Sequence, residues 1–277
     1  MKTKLFTLFK GLRNIVLIST SSFLCYNQLP SANENSLIYS PNDFNEELAE
    51  FIQPINYRPT IYLPDCLSQM IYSEIKAIPK VEFYREYLKT EDNGIISLDW
   101  STCQRDPSKI ETIIVLLHGL TGGSQSSYIR DTVETFNLFD KYKTVVVQYR
   151  GINKCPLTSP IGYHASQTED IKLALTEIRK KYPNKKCICI GLSIGANKLV
   201  KLLGNYHDFD DYITALISIS NPLNIPELEK RNRGSVLEKY MLKSAKEYIH
   251  QHEKILKKNS GIIIHSDHYR FGLKQNC

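Results

Sequence analysis

Lys186-Cys187-Ile188-Cys189-Ile190-Gly191-Leu192-Ser193-Ile194-Gly195-Ala196-Asn197-Lys198-Leu199-Val200-Lys201-Leu202-Leu203 is the stretch that decides the fold. Its first five residues are mostly apolar and have a strand's composition. Its last eight place leucines at helical spacing. Between them stands Gly-x-Ser-x-Gly, and strand, motif and helix together predict a sharp turn with a serine at its tip. The two glycines let the backbone turn where a side chain would clash with the neighbouring strand and helix. The hydroxyl is left exposed, with a helix N-terminus beneath it. That end of the dipole favours the negative charge of an acyl-transfer transition state. Ser193 is therefore the candidate nucleophile, and a plain tight turn is the alternative reading of the five residues alone.

Upstream, Thr112-Ile113-Ile114-Val115-Leu116-Leu117 is apolar after its first residue, as suits the middle of a parallel sheet. It runs into His118-Gly119-Leu120-Thr121-Gly122-Gly123-Ser124. The loop lacks the Gly-Lys-Ser/Thr ending of a P-loop and the G-x-G-x-x-G of a dinucleotide site. A strand ending in His-Gly upstream of a nucleophile turn can instead build half an oxyanion hole. The N–H of Leu120, or of Thr121, is one candidate donor and the N–H of Ile194 is the other. Two such donors in a dry site are each worth roughly 3 kcal/mol in the transition state. His118 is read as structural, its ring bonding nearby backbone to shape the loop.

The remaining elements alternate. Val81–Leu88 and Ile95–Trp100 form an antiparallel hairpin at a sheet edge, turned by Glu91-Asp92-Asn93-Gly94. A helix is expected over Ser127–Tyr142 and a strand over Lys143–Gly151. A second helix starts at Ser166, with a capping box to Glu169, and stops before Pro183. Thr214–Ser220 reads as one more buried strand, closed by Asn221-Pro222. This alternation predicts a mostly parallel sheet covered by helices on both faces. Val236–Asn259 is one long basic helix or two short ones, and Gly261–His268 a short strand and turn.

The chain has 277 residues, enough for one large domain. A net charge of +6 without an aromatic-interleaved basic stripe gives no reason to expect a nucleic-acid partner. Seven scattered cysteines with no C-x-x-C pair argue against zinc and against a disulfide framework. The chemistry at Ser193 needs no metal or organic cofactor. At the N-terminus Lys2, Lys4, Lys10 and Arg13 precede an apolar run from Ile15 to Cys25. The run is shorter than the roughly 17 residues that span a bilayer. A short anchor or interfacial segment, a cleaved signal and an amphipathic helix all remain open for residues 1–26. The expected organisation is residues 1–26 as anchor or signal-like segment, 27–56 as linker, 57–226 as catalytic core, and 227–277 as the start of a cap.

Several stretches in order resemble one branch of the α/β-hydrolase superfamily, AB hydrolase family four. They are Tyr57-Arg58-Pro59-Thr60, Asp92-Asn93-Gly94, Leu98-Asp99-Trp100, the loop from His118 to Ser124, Ser127-Tyr128-Ile129-Arg130, Tyr149-Arg150-Gly151, Thr168-Glu169-Asp170, Gly191–Asn197 and Ser218–Pro222. The branch includes vertebrate α/β-hydrolase-domain lipases, plant embryogenesis-associated proteins, bacterial esterases and yeast medium-chain ethyl-ester synthases. The resemblance implies the α/β-hydrolase fold, incomplete at its C-terminal end. It implies a serine hydrolase of carboxylic (lipid) esters, of acylglycerol lipase or short- to medium-chain carboxylesterase type. Ser193 would form the acyl-enzyme and Leu120 and Ile194 would hold the oxyanion. An alcohol in place of water would make the chain an acyltransferase. The branch also implies association with a membrane through a single N-terminal anchor, with the endoplasmic reticulum as one candidate, and a secretory signal as the lesser alternative. In this branch the triad acid and histidine follow two further strands beyond the cap. This chain stops where the cap is in progress, so a truncated sequence is expected. Asp267 and His268 follow a short apolar run and offer a substitute pair, but adjacent residues usually point apart and the fold draws its two partners from different loops. The alternative is a catalytically incomplete chain without the triad Asp and His, acting at most as a binding protein.

Overall fold

The computed structural model describes residues 40–52, 59–60, 62–63, 65–102 and 106–258. The chain divides into two compact units, Met1–Ala77 and Ile78–Cys277. In the first, helix α1 spans Asp43–Phe51 and is capped by Asn42, whose Oδ1 accepts the Asn45 N–H at 2.8 Å. Helix α2, Cys66–Ile75, starts with a capping box between Asp65 and Ser68. Helix α1 begins inside the stretch read as linker. Pro41 precedes the cap residue, where a missing N–H interrupts nothing. Among the described residues no helix is long and apolar enough to cross a membrane, and residues 1–26 lie outside them.

The second unit is built on a six-stranded sheet. The strands are β1 (Phe83–Lys89), β2 (Ile95–Ser101), β3 (Thr112–Leu117), β4 (Tyr142–Gln148), β5 (Lys186–Leu192) and β6 (Ile213–Ile219). Their order is β1-β2-β4-β3-β5-β6. Strands β1 and β2 form an antiparallel hairpin, which joins antiparallel to β4; β4, β3, β5 and β6 run parallel. The hairpin turn has Asn93 at φ 60°, the left-handed region that asparagine tolerates.

Helices α3 (Ser127–Asn137), α4 (Glu169–Lys181) and α5 (Ile194–Asn205) cover the sheet. The apolar run of β3 shows why both faces are covered. Ile113, Val115 and Leu117 pack with Ile171, Leu175 and Ile178 of α4 and Leu199 and Leu202 of α5. Ile114 and Leu116 pack on the opposite face with Ile129 and Val133 of α3. Side chains alternate across a strand, so a strand buried on both faces reads as a nearly continuous apolar run. Two further helices follow, α6 (Ile225–Asn232) and α7 (Val236–Leu256).

Several elements differ from expectation. Helix α3 ends at Asn137; Phe139 donates to Phe136 and Tyr142 to Phe139, which turns the chain into β4. Helix α4 begins at Glu169, and the capping box at Ser166 does not form. The Ser166 hydroxyl pairs with His164 Nδ1 at 2.7 Å instead. Over Val236–Asn259 the first alternative holds, one long helix Val236–Leu256; α6, with Pro226 in its opening turn, precedes it. Strand β6, expected to be buried, is half-exposed, with Ile217 44% and Ile219 43% accessible. Among the described residues it pairs only with β5. An apolar run states what a strand could bury, not whether a neighbour covers it. The short strand expected at 261–268 lies outside the described residues.

Candidate active site

Strand β5 ends at Leu192, helix α5 starts at Ile194, and Ser193 is the single residue between them. Its backbone sits at φ 55° and ψ −121°, a conformation that a residue with a Cβ adopts at a cost of about 1–3 kcal/mol. The Ser193 N–H is anchored on the Ile219 carbonyl at 2.9 Å, and the Ser193 carbonyl accepts the Asn197 N–H at 3.1 Å. Both flanking glycines are required by close approach. A Cβ on Gly191 would lie 2.5 Å from Ala196 Cα, and one on Gly195 would lie 2.5 Å from the Leu117 carbonyl oxygen. The turn is thus pressed against its own helix and against the end of β3.

The loop after β3 lies beside this turn. A Cβ built on Gly119 would stand 3.4 Å from Ser193 Cβ. Most of the loop's polar groups are spoken for. Gly119 N–H donates to Tyr128 Oη at 3.0 Å and Thr121 N–H to Tyr163 Oη at 3.2 Å. Leu120 N–H, between them, has no hydrogen-bond acceptor among the described residues, and neither does Ile194 N–H in the opening turn of α5. Burial pushes the Tyr163 phenol up to about 12, so its hydroxyl stays neutral.

Two buried charge networks hold the surroundings. In one, Arg85 donates to both oxygens of Asp99, at 2.6 and 2.7 Å, and to the Asn153 carbonyl at 2.8 Å. Asp99 also accepts the Ser124 hydroxyl at 2.6 Å, and Asn153 donates to Ser124 Oγ at 2.9 Å. The far end of the loop is thereby tied to the hairpin. In the other, Arg150 bridges Asp170 and Asp92 and also reaches Ser159. Burial works against the Arg150 charge, but its bonds to Asp170 and Asp92 outweigh that and raise its pKa.

His118 is fully buried; its Nδ1 meets the Gly119 carbonyl at 2.8 Å and its ring lies 4.1 Å from that of Tyr149. Burial lowers its pKa to about 4, so it stays neutral and shapes the loop. The other described histidines are engaged or placed elsewhere: His164 with Ser166, His207 with Asp210 and His252 with the Gly151 carbonyl, while His250 is an exposed residue of α7. Among the described residues no imidazole and no carboxylate is hydrogen-bonded to Ser193; His265, Asp267 and His268 lie outside them. No group of metal-ligating side chains is found among the described residues. A cavity of about 610 Å³, lined in part by Thr112, Tyr142 and Lys186, opens at the starts of β3, β4 and β5. It is at the opposite end of the strands from Ser193, and ligands of open α/β sheets bind at the carboxyl ends.

Lys198 and Tyr163 escape a reading of motifs. Lys198 has the charge of a surface residue, yet its side chain is wholly buried. The signal was in its spacing: Gly195, Lys198, Leu199 and Leu202 make one helical face.

No protein-family model matches the chain. It is 32% identical over 154 residues to the monoacylglycerol lipase of Saccharomyces cerevisiae, covering 53% of this chain and 34% of that protein. It is 30% identical over 199 residues to phospholipase ABHD3 of Homo sapiens, covering 69% of this chain and 48% of that protein. The chain belongs to the ABHD family of α/β-hydrolases. The resemblance stated from the motifs and the expected fold both hold. As an ABHD protein it spans half or less of the length of the curated relatives it matches. The solved structure of the Pyrococcus furiosus esterase Pf2001 is also similar, at 19% identity and a TM-score of 0.47, over 61% of this chain and 62% of that one.

Proposed function

We propose that this ABHD-family chain is a serine hydrolase of carboxylic esters, with lipid esters of the acylglycerol type as substrates. The observation that carries the proposal is the backbone of Ser193, held at positive φ between β5 and α5 with the Gly119 loop against it. Similarity to proteins named as a monoacylglycerol lipase and a phospholipase supports lipid esters as the substrate class.

In this reading Ser193 Oγ attacks the ester carbonyl while a base takes its proton. The carbonyl oxygen becomes an oxyanion, and the Leu120 and Ile194 N–H groups donate to it. The intermediate collapses, the alcohol leaves with a proton, and the acyl group stays on Ser193. Water attacks the acyl-enzyme by the same route and releases the acid. An alcohol in place of water would give a new ester. The base and its orienting acid belong to groups outside the contacts described for Ser193. Residues 1–26 are proposed to anchor the protein to a membrane, and carbonate extraction of a cell membrane fraction tests that.

A second reading follows from the same site: with no imidazole bonded to Ser193 among the described residues, the chain would bind an acyl ester without cleaving it. Labelling with a fluorophosphonate separates the two. Covalent labelling of the full chain, lost in Ser193→Ala, together with hydrolysis of p-nitrophenyl butyrate, is expected from the esterase. Equal absence of labelling in both proteins sinks that reading and leaves the binding one.

A further inference from the structure

Lys198 lies on the face of α5 turned to the sheet, five residues after Ser193, and none of its side chain is exposed. A buried ammonium ordinarily needs a carboxylate partner. Asp170 is the carboxylate that most favours its charge, but both oxygens of Asp170 are already on Arg150. Lys198 Nζ donates to the Gln167 carbonyl at 3.2 Å. It stands 4.6 Å from the ring centre of Tyr149 and 5.9 Å from that of Tyr163. The two rings stack 5.4 Å apart. A cation at these distances is attracted to the ring faces, the more so where water is excluded.

Both phenols are fastened to the loop after β3. Tyr149 Oη donates to the His118 carbonyl at 2.9 Å, and Tyr163 Oη accepts the Thr121 N–H at 3.2 Å. Thr121 sits at φ 53°, a left-handed conformation unfavourable to a β-branched residue. Its bond to Tyr163 holds that conformation and leaves Leu120 N–H as the neighbouring unengaged donor. The helix that carries Lys198 also carries Ile194 N–H in its opening turn.

We propose that Lys198 is a positioning residue for the acyl-transfer reaction: its ammonium, against the rings of Tyr149 and Tyr163, fixes the oxyanion loop relative to the helix that follows Ser193. The inference rests on the reading of Leu120 and Ile194 as the two oxyanion donors. Both must come within about 2.7–3.1 Å of one oxygen, so a small shift of loop against helix removes one of them. The charge is held at a cost to stability. Burial pulls the Lys198 pKa down to about 8; Asp170 and Glu169 oppose the fall, while Arg150 and Lys201 add to it.

That cost makes the role testable, because positioning and stability move in opposite directions. Lys198→Met keeps the apolar stem and removes the charge. In the full chain at pH 7 it is expected to raise the melting temperature, accelerate amide hydrogen exchange at Thr121 at least tenfold, and lower kcat for p-nitrophenyl butyrate at least tenfold with KM unchanged. Tyr163→Phe keeps the ring and removes only the hydroxyl, and is expected to accelerate the same amide. If Thr121 exchanges at the wild-type rate in Lys198→Met, the proposal is overturned. It is equally overturned if that variant melts lower or fails to fold, since Lys198 would then be an ordinary structural group. Ser193→Ala serves as the separate control. Should wild type and Ser193→Ala be equally inactive, the esterase reading fails, and the Thr121 exchange rates still decide whether the ammonium holds the loop.

Discussion

Arg150 donates through Nε and Nη2 to the two carboxylate oxygens of Asp170, each at 2.6 Å, and its Nη1 reaches Asp92. The hairpin turn, the end of β4 and the start of α4 meet at this one guanidinium. Both Arg150 and Asp170 have side chains only 4% exposed. Arg150→Met is expected to destabilise the protein by about 3–5 kcal/mol, because Asp170 would keep a buried charge with no partner. Arg150→Lys should recover only part of that, since an ammonium cannot make the paired bonds. Urea denaturation of the two variants checks the order.

Ser193 gives a second test, one of strain rather than chemistry. Ser193→Ala and Ser193→Gly both remove the nucleophile, but only alanine keeps a Cβ at φ 55°. The glycine variant is expected to be the more stable of the two by about 1 kcal/mol. Equal urea midpoints would show that the turn stores no strain.

Helix α5 contains two glycines with opposite expectations. A Cβ on Gly195 would stand 2.5 Å from the Leu117 carbonyl oxygen and 2.7 Å from that of His118, both backbone atoms. Gly195→Ala should cost about 3 kcal/mol through overpacking. A Cβ on Gly204 meets nothing within 4 Å. Gly204→Ala should stabilise by about 0.5–1 kcal/mol through helix propensity. Thermal melts of both variants provide the comparison.

His118 predicts an acid-sensitive component of stability. Burial holds its folded-state pKa at about 4, below the unfolded value of 6.5. Between those pH values the unfolded chain binds a proton that the folded protein rejects. Stability from this group is therefore full above pH 6.5 and is lost as pH falls toward 4, by about 3 kcal/mol in total. His118→Asn can keep an N–H for the Gly119 carbonyl and does not titrate. Its urea midpoint should fall less than that of wild type between pH 7 and pH 4.5.

The sheet and the Ser193 turn were legible because each rests on local signals: apolar runs, glycine at two fixed offsets, leucines at helical spacing. The partners of Arg150 and Asp99 were not. Asp92, Arg150 and Asp170 all stood in quoted motifs, yet no spacing rule pairs residues 58 and 20 positions apart. The exposure of β6 was hidden for a different reason, since burial depends on neighbours that a strand's own residues do not name. Lys198 was legible in principle. Its helical phase outranked its charge, and weighing position above residue type would have put it in the core.

The Arg85–Asp99–Ser124 chain has a consequence for how this protein can change. Arg85 pairs directly across the hairpin from Asp99, and Asp99 reaches Ser124 from that register. Alternate residues of a strand face opposite sides, and β2 is also held in register by β4, so a one-residue insertion or deletion in the turn from Thr90 to Gly94 would slip the edge strand β1 and carry Arg85 away from Asp99. The length of this surface turn is therefore a measuring stick for a site it never touches. Its composition is held as well, since Asp92 bonds Arg150 and Asn93 turns at φ 60°.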